Sequence, residues 1–287
     1  MTRYLTIIAL SAVLLTTGVS LGEDTAPAED KAATSSSESN WLNWTPFDKV
    51  TKKPTVTLDY TYMTKLMDKG GEYYGEKSAS LFGLDVNLFD TGFGVGVAQR
   101  MANSSGQVGR ERLDYKVYYG DSIFDEKPYQ TDFSIAWIYH HNYKQSTDNG
   151  NTQEYELNLS WKKLLPFGIT PHYQACYETP SNSGQGNAAA AGWWHVFGLG
   201  YDLEVPGLLP SQDKQVLHFD ASVAYRDGLG GGAVDHDWSH ATFGVSTEFK
   251  ITDYLSVNPG VHYQISMDDS VCDKDQVYAG ITLRFRF

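Results

Sequence analysis

The sequence predicts an all-β protein, a closed antiparallel transmembrane β-barrel of about 12 strands. Three observations predict it. Residues 276–287 alternate between apolar and polar side chains, and successive residues of a strand face opposite sides of its sheet. Alternating segments of about ten residues, long enough for a tilted bilayer crossing, recur from Pro54 to the C-terminus. Long polar gaps between these segments alternate with mostly short turns, as expected when the loops differ on the two sides of a barrel.

The N-terminal part of the chain is predicted to lie outside the barrel. Arg3 precedes an apolar run at 4–15, and the small residues Ser20 and Gly22 follow, so residues 1–22 are predicted to be a secretory signal peptide. This run is shorter than the roughly 20 residues of a membrane-spanning helix. Residues 23–53 are predicted to be an acidic disordered linker followed by an aromatic segment around Trp41 and Trp44. The barrel is predicted over residues 54–287.

The same alternation predicts each of the strands separately. They are predicted at 55–63, 81–88, 93–100, 112–119, 131–141, 153–161, 168–178, 193–204, 216–227, 239–251, 254–265 and 276–287. Gaps after odd strands are long and rich in Gly, Ser, Asn and Asp, whereas most even gaps are short; 120–130 and 205–215 are the two longer exceptions. Both termini are therefore expected on the short-turn, periplasmic side. A soluble sandwich or lipocalin-like barrel also alternates, but its strands are usually about five or six residues long.

Composition limits the classes of partner. The net charge of −13 argues against nucleic acid, because phosphate binding requires clustered Lys and Arg. The 19 Tyr, 13 Phe and 7 Trp suit a membrane interface. The two cysteines are predicted on nearly opposite sides of the ring, Cys176 at an outer strand end and Cys272 in the last long loop. A disulfide would therefore require that loop to fold inward until the two Cα atoms lie within about 7 Å.

The C-terminal strand has apolar residues at alternate positions before a terminal aromatic residue: Ala279, Ile281, Leu283, Phe285 and Phe287. In this it resembles the C-terminal sequence of bacterial outer-membrane β-barrel proteins. The resemblance implies that barrel-assembly machinery reads this strand as an assembly signal, and that the protein enters the outer membrane of a Gram-negative bacterium. Chain length and strand number resemble those of the twelve-stranded TorF-like porin group and other small channels, which implies a monomer.

Strand parity predicts an inner wall rich in charge. Ten acids are expected there: Asp59, Asp85, Asp114, Asp132, Glu154, Glu156, Glu178, Asp202, Asp220 and Glu248. Six bases and four histidines share that face: Arg100, Arg112, Lys116, Arg226, Arg284, Arg286, His140, His172, His218 and His262. These groups would line a pore that selects solutes by charge, or brace a plugged barrel, since twelve strands lie between the filled eight-stranded and open sixteen-stranded cases. The four histidines occupy four different strands, so no metal site and no cofactor are expected.

The function that these features favour is passive diffusion of small hydrophilic solutes or ions through an outer-membrane channel. Mild cation selectivity is expected because acids outnumber bases on the inner face. Two alternatives remain. The run Asp235 to His240 (Asp-His-Asp-Trp-Ser-His) is similar to a run in the omptin surface proteases, and would serve a surface hydrolase. A structural or docking barrel could instead use the acidic N-terminal linker.

Overall fold

The computed structural model describes residues 53–107, 110–142, 150–181, 191–208, 212–229 and 236–287. The predicted signal peptide and nearly all of the predicted linker lie outside these residues, as do loop residues around Asp148 and Gly184. Within the described part of the chain there is no helix long and apolar enough to cross a membrane.

Twelve long strands form the barrel. They are β1 Thr55–Met63, β2 Ala79–Asn87, β3 Phe93–Ala102, β4 Arg112–Ile123, β5 Thr131–His141, β6 Thr152–Ser160, β7 Ile169–Pro180, β8 Gly192–Pro206, β9 Lys214–Asp227, β10 Asp237–Thr247, β11 Leu255–Ser266 and β12 Gln276–Arg286. Each strand pairs antiparallel with its neighbours in sequence, and β12 pairs antiparallel with β1, which closes the ring. The prediction of a closed, all-β, twelve-stranded barrel is therefore confirmed.

The strand ends shorten the two long gaps that break the predicted alternation of loop lengths. β4 continues to Ile123, and β8 and β9 meet at the pair Pro206 and Lys214, so four of the eleven residues in each gap belong to strands. A two-residue strand, Phe249–Lys250, continues β10 and also pairs with β11. The turn between β6 and β7 contains a short 3-10 helix, Pro166–Gly168.

The outer surface of the ring is apolar. Strand alternation directs large hydrophobic side chains outward, and these remain exposed: Leu58, Phe82, Val95, Val117, Ile135, Trp137, Tyr155, Trp193, Phe197, Leu199, Phe219, Phe243, Val261 and Ile281. A water-soluble monomer rarely exposes a continuous apolar surface of more than a few hundred Å². The surface has the character of a wall that contacts lipid, with every backbone strand edge paired in the closed ring.

The seam between β1 and β12 uses the last residue of the chain. The register runs from Thr57 opposite Arg286 to Met63 opposite Gly280. Beyond the strand, the backbone N–H of Phe287 donates to the Val56 carbonyl at 2.9 Å, and the Val56 N–H donates back at 3.1 Å. Closure therefore extends to the chain terminus.

Candidate functional site

The long loop between β1 and β2 contains a second, smaller hairpin. Met67–Asp68 pairs antiparallel with Gly71–Glu72. The two turn residues between them, Lys69 and Gly70, both have positive φ, 49° and 87°, which is the geometry of the tight turns that join hairpin strands. We call residues 67–72 the plug hairpin, because its side chains and backbone contact the inner wall of the barrel.

A small apolar cluster holds the base of the plug hairpin. Leu66, Tyr74 and Ala79 are buried together, with Met63 and Tyr73 packed against them. The Tyr73 N–H donates to the Leu66 carbonyl at 2.8 Å, which joins the two sides of the loop just outside the hairpin. The base is thereby attached to the ends of β1 and β2, on the side of the long loops.

Asp68 binds a pair of arginines on one side of the lumen. Its carboxylate lies 3.2 Å from Arg100 and 3.5 Å from Arg112. These arginines face the lumen from β3 and β4, where they are direct cross-strand partners. Burial disfavours a charged Asp68, but the attraction of Arg100, Arg112 and Lys69 outweighs it and holds the pKa of Asp68 below its usual range.

Lys69 binds a pair of glutamates. Its ammonium lies 2.6 Å from Glu154 and also forms a short ion pair with Glu178. The glutamates come from β6 and β7 and are direct cross-strand partners, like the two arginines. Thr152 donates to the second oxygen of Glu178 at 2.7 Å. Burial disfavours the ammonium, but Glu178, Glu154 and Asp68 outweigh it and raise the pKa of Lys69 above its usual range.

His140 connects the arginine pair to the glutamate pair. Asp114 accepts a hydrogen bond from Arg100 Nε at 2.9 Å, and its other oxygen lies 2.7 Å from His140 Nδ1. His140 Nε2 lies 3.3 Å from Glu154. Both ring nitrogens thus face carboxylate oxygens, and only the protonated imidazolium can donate to both. The resulting chain of contacts crosses β3, β4, β5 and β6 along one side of the lumen.

The opposite side of the lumen holds the backbone of the turn. Arg226 of β9 donates to the Lys69 carbonyl, and Gln264 of β11 donates to the Gly70 carbonyl at 2.7 Å. An added Cβ at Gly70 would lie 2.2 Å from the ring of His240 on β10, so this position requires glycine for space as well as for its φ. The plug hairpin therefore spans the lumen and is held from both sides.

Lys69 implies a pH range for this arrangement. Because its pKa is raised in the folded state, its contribution to docking is fully present below its unfolded pKa of about 10.4. That contribution is lost only as the pH rises through the higher folded value. We expect the conductance of purified protein in planar bilayers to be the same at pH 9 as at pH 7. A rise in conductance at pH 9 would contradict the assignment of Lys69 as the holding group.

Two cavities border the plug hairpin. The first has a volume of about 490 Å³, and its charged lining includes Asp59, Asp85, Lys116 and Glu156. The second has a volume of about 380 Å³ and is lined by His172, Asp220, His240 and Tyr278 among others. Met67, Lys69 and Trp194 border both cavities. Space for polar solutes thus exists inside the barrel next to the hairpin.

Eleven of the residues predicted on the inner face border these cavities: Asp59, Asp85, Arg100, Arg112, Asp114, Lys116, His140, Glu154, Glu156, His172 and Asp220. Arg226 holds the plug hairpin, and the ring of His262 stacks on Tyr278 with 5.0 Å between centroids. Arg112 and Glu178 form ion pairs with the plug hairpin, Arg112 with Asp68 and Glu178 with Lys69.

Several of the remaining charges form pairs with neighbours on the barrel. Arg284 binds both oxygens of Asp59 at 2.9 Å across the closing seam. His218 lies 2.7 Å from Asp202, and Asp132 lies 2.8 Å from Lys162. Glu248 is half-buried beyond the end of β10, and Arg286 is exposed at the end of β12. The predicted set is therefore not one site, and only part of it surrounds the hairpin.

The described part of the Asp235–His240 run divides into exposed residues, 236–238, and the buried residues Ser239 and His240. Asp235 lies outside the described residues. A β-bulge at Ser239 shifts the register between β9 and β10, so Ala224 pairs with His240 while Tyr225 pairs with Trp238. Ser239 contacts His240 Nδ1 at 2.9 Å but is fully buried, so its hydroxyl cannot reach a substrate. His236 of the same run is exposed and lies 2.8 Å from Asp227 of β9, so the described part of the run has an exposed His–Asp pair and a buried serine.

Both cysteines are free and buried. Cys176 lies beside Glu154 and Glu156, and these three side chains approach the spacing of metal ligands. Their carboxylates already have partners, because Glu154 binds Lys69 and His140, and Glu156 accepts a hydrogen bond from Asn158 at 2.5 Å. We therefore assign the Glu154 carboxylate to Lys69 rather than to a metal ion.

The plug hairpin was not part of the sequence prediction, which placed residues 65–78 in a long loop. A partial signal for the hairpin exists, because Gly70 occupies the second turn position, where a turn with two positive φ angles favours glycine. The inward direction of the loop has no such local signal. It depends on oppositely charged side chains from at least four strands that only the folded ring brings together.

No protein-family model and no curated protein matches the sequence. Solved structures with a similar course of the chain include two porins and an outer-membrane channel. The KdgM porin is 9% identical, with 80% of this chain and 99% of that chain covered and a TM-score of 0.47. The NanC porin is 10% identical, with coverages of 80% and 98% and a TM-score of 0.48.

An outer-membrane channel from Pseudomonas putida F1 is 8% identical, with coverages of 85% and 100% and a TM-score of 0.47. At identities near 10% and TM-scores below 0.5, these similarities carry no argument about activity. The description of this chain as a barrel rests on its own strand pairing, which confirms at the level of fold its resemblance to outer-membrane β-barrel proteins.

Proposed function

We propose that this protein is an outer-membrane channel for small hydrophilic solutes, and that the plug hairpin closes the channel in the arrangement described. The observation that carries the proposal is the combination of an apolar outer wall with charged cavities of about 490 and 380 Å³ inside a closed ring. A barrel that only braced the membrane would gain nothing from burying so many charges, since each costs desolvation energy. Charged groups around a water-filled path select solutes.

Planar-bilayer recording tests this proposal. Wild-type protein should give small or rare conductance steps, because the hairpin spans the lumen, and Lys69→Met should give larger ones. Folding and insertion of both proteins are checked beforehand by heat-dependent gel migration, so that silence cannot be attributed to an unfolded sample. Folded, inserted protein that is silent in both forms would overturn the channel.

Mild cation selectivity is the finer part of the proposal. Acids outnumber bases on the inner wall, and the hairpin adds two acids, Asp68 and Glu72, and one base, Lys69. A low-dielectric wall focuses the resulting field and enriches cations in the lumen. In a KCl gradient the reversal potential of the Lys69→Met channel should have the cation-selective sign. It should decrease as salt rises, because the screening length is about 10 Å at 0.1 M. An anion-selective sign at low salt would contradict this assignment.

The C-terminal strand supports a role in assembly. The Phe287 side chain is exposed and contacts Tyr254, while its backbone forms the two hydrogen bonds of the seam. Phe287→Ala keeps those backbone bonds, so the melting temperature in detergent should change little. If Phe287 is part of an assembly signal, the yield in the outer membrane should nevertheless fall severalfold. Ile251→Ala, which removes an exposed apolar side chain at the same end of the barrel, is the control. Normal yield for Phe287→Ala would remove the assembly role.

A further inference from the structure

We propose that the side chains holding the tip of the plug hairpin form a binding site for a linear zwitterion, a solute with a carboxylate and an ammonium group several bonds apart. This inference rests on the proposed channel function and names the class of solute that the site would accept. The tip itself presents such a pair of charges, because Asp68 and Lys69 are adjacent in sequence and both point into the wall contacts described above.

The carboxylate end of the site is the cross-strand pair Arg100 and Arg112. The two guanidinium groups, on adjacent strands, converge on one carboxylate oxygen: Arg100 and Arg112 lie 3.2 and 3.5 Å from Asp68 Oδ2. Asp114 lies behind them and neutralises only part of their charge. An additional anion is therefore required to balance this end of the site.

The ammonium end is the cross-strand pair Glu154 and Glu178. These carboxylates converge on one ammonium. His140 Nε2 contacts the same Glu154 oxygen as Lys69, and Thr152 donates to the other oxygen of Glu178. Without Lys69, two glutamates would face each other with few cationic partners, at side-chain exposures of 7% and 17%. Such a pair disfavours its own ionisation and gains from any small cation.

The distance between the two ends sets the shape of the ligand. Asp114 and the ring of His140 lie between the arginine pair and Glu154. The carboxylate and the ammonium of the ligand must therefore be far enough apart to span these two side chains. A dianion would place one charge against Glu154 and Glu178. A dication would place one charge against Arg100 and Arg112. Only a solute with opposite charges at its two ends satisfies both pairs.

The plug hairpin competes with this solute. A tethered ligand acts at an effective concentration in the millimolar range, so a free zwitterion must reach similar concentrations to displace it. Displacement would release the hairpin from the wall while leaving its base attached through Leu66 and Tyr74. The same contacts would then bind the solute and free the lumen for its passage.

Calorimetry on the full-length double variant Asp68→Asn/Lys69→Met tests the site after its internal ligand is removed. The probes are 6-aminohexanoate, hexanoate and hexylamine, which share a chain length and differ in their charges. We expect 6-aminohexanoate to bind at least tenfold more tightly than either singly charged probe. Its binding to wild-type protein should be at least tenfold weaker, because the hairpin occupies the site.

Variants of the two ends complete the test. In the double-variant background, Arg100→Gln and Glu154→Gln should each abolish the preference for 6-aminohexanoate over the singly charged probes. Lys214→Met should not, because Lys214 pairs with Glu204 on the exposed surface. If the double variant conducts ions but binds the three probes equally, the proposal of a zwitterion site is wrong and the proposal of a channel is unaffected. A folded, inserted double variant that does not conduct would instead count against the channel.

Should the double variant fail to fold, wild-type protein in planar bilayers provides the second measurement. Adding 6-aminohexanoate should increase the open fraction of wild-type channels with a millimolar midpoint, whereas hexanoate and hexylamine at equal ionic strength should not. Equal responses to all three compounds would overturn the site.

Discussion

Replacing Lys69 with methionine should release the plug hairpin and raise the conductance of the barrel severalfold. Methionine keeps the length of the apolar stem but removes the ammonium from between Glu154 and Glu178. Removing one partner of a buried ion pair costs about 3–5 kcal/mol, because the remaining charge is buried without compensation. The wall does not need to unfold to relieve this cost, since the hairpin can leave and let water reach the two carboxylates.

Cys176 provides a second measurement of the same event. Its side chain is 1% exposed on the inner wall next to Glu154. In a Cys272→Ser background, a small water-soluble thiol reagent should modify Cys176 slowly in the otherwise wild-type chain and much faster with Lys69→Met. Lys214→Met removes an equally charged side chain from an exposed pair at 2.6 Å, and should change neither labelling nor conductance. Slow labelling together with unchanged conductance in Lys69→Met would show that Lys69 does not hold the hairpin.

Gly92→Val should prevent the barrel from folding, or destabilise it by several kcal/mol. Gly92 lies in the turn between β2 and β3 at φ 85°, which costs a non-glycine residue about 1–2 kcal/mol. An added Cβ would also lie 2.2 Å from the Gly120 carbonyl oxygen, which is backbone of β4 and cannot rotate away. The same region carries the hydrogen bond from the Gly120 N–H to the Gly92 carbonyl at 2.9 Å, so moving the turn also breaks that bond.

Gly106→Val is the matched control. Gly106 has φ 91°, close to that of Gly92, but an added Cβ there would meet nothing within 4 Å. The Gly106→Val variant should therefore lose only the free energy needed to hold a non-glycine residue at positive φ, and it should still fold. Heat-dependent gel migration and the melting temperature in detergent separate the two variants. Equal destabilisation would show that the contact with Gly120 does not matter.

The sequence was sufficient to predict the ring because barrel strands carry a local signal. Alternation fixes which face of each strand meets lipid, and the long apolar exterior leaves little freedom for a shift by one residue. The ends of β4 and β8 were less predictable. Gly120 to Gln130 and Val205 to Gln215 contain polar residues and glycines that resemble loops, yet backbone pairing with a neighbouring strand extends into them.

The candidate site was only partly predictable, and for a different reason. Parity placed Arg100, Arg112, Glu154 and Glu178 on the inner face, but it could not show that they bind a loop. The contacts between the loop and these four residues join positions far apart in sequence. Lys69, for example, lies 85 residues from Glu154. The bulge at Ser239 was also invisible, because one extra residue breaks the alternation without a sequence signal of its own.

The seam at Phe287 constrains the order in which the barrel can form. The residues that close the ring, Val56 and Phe287, lie at opposite ends of the described chain, so every other strand pairing is local by comparison. Until β12 has paired with β1, both strands are open edges, and open edges pair readily with other chains. Protection from aggregation is therefore needed from the synthesis of β1 until β12 has been made and the seam has closed.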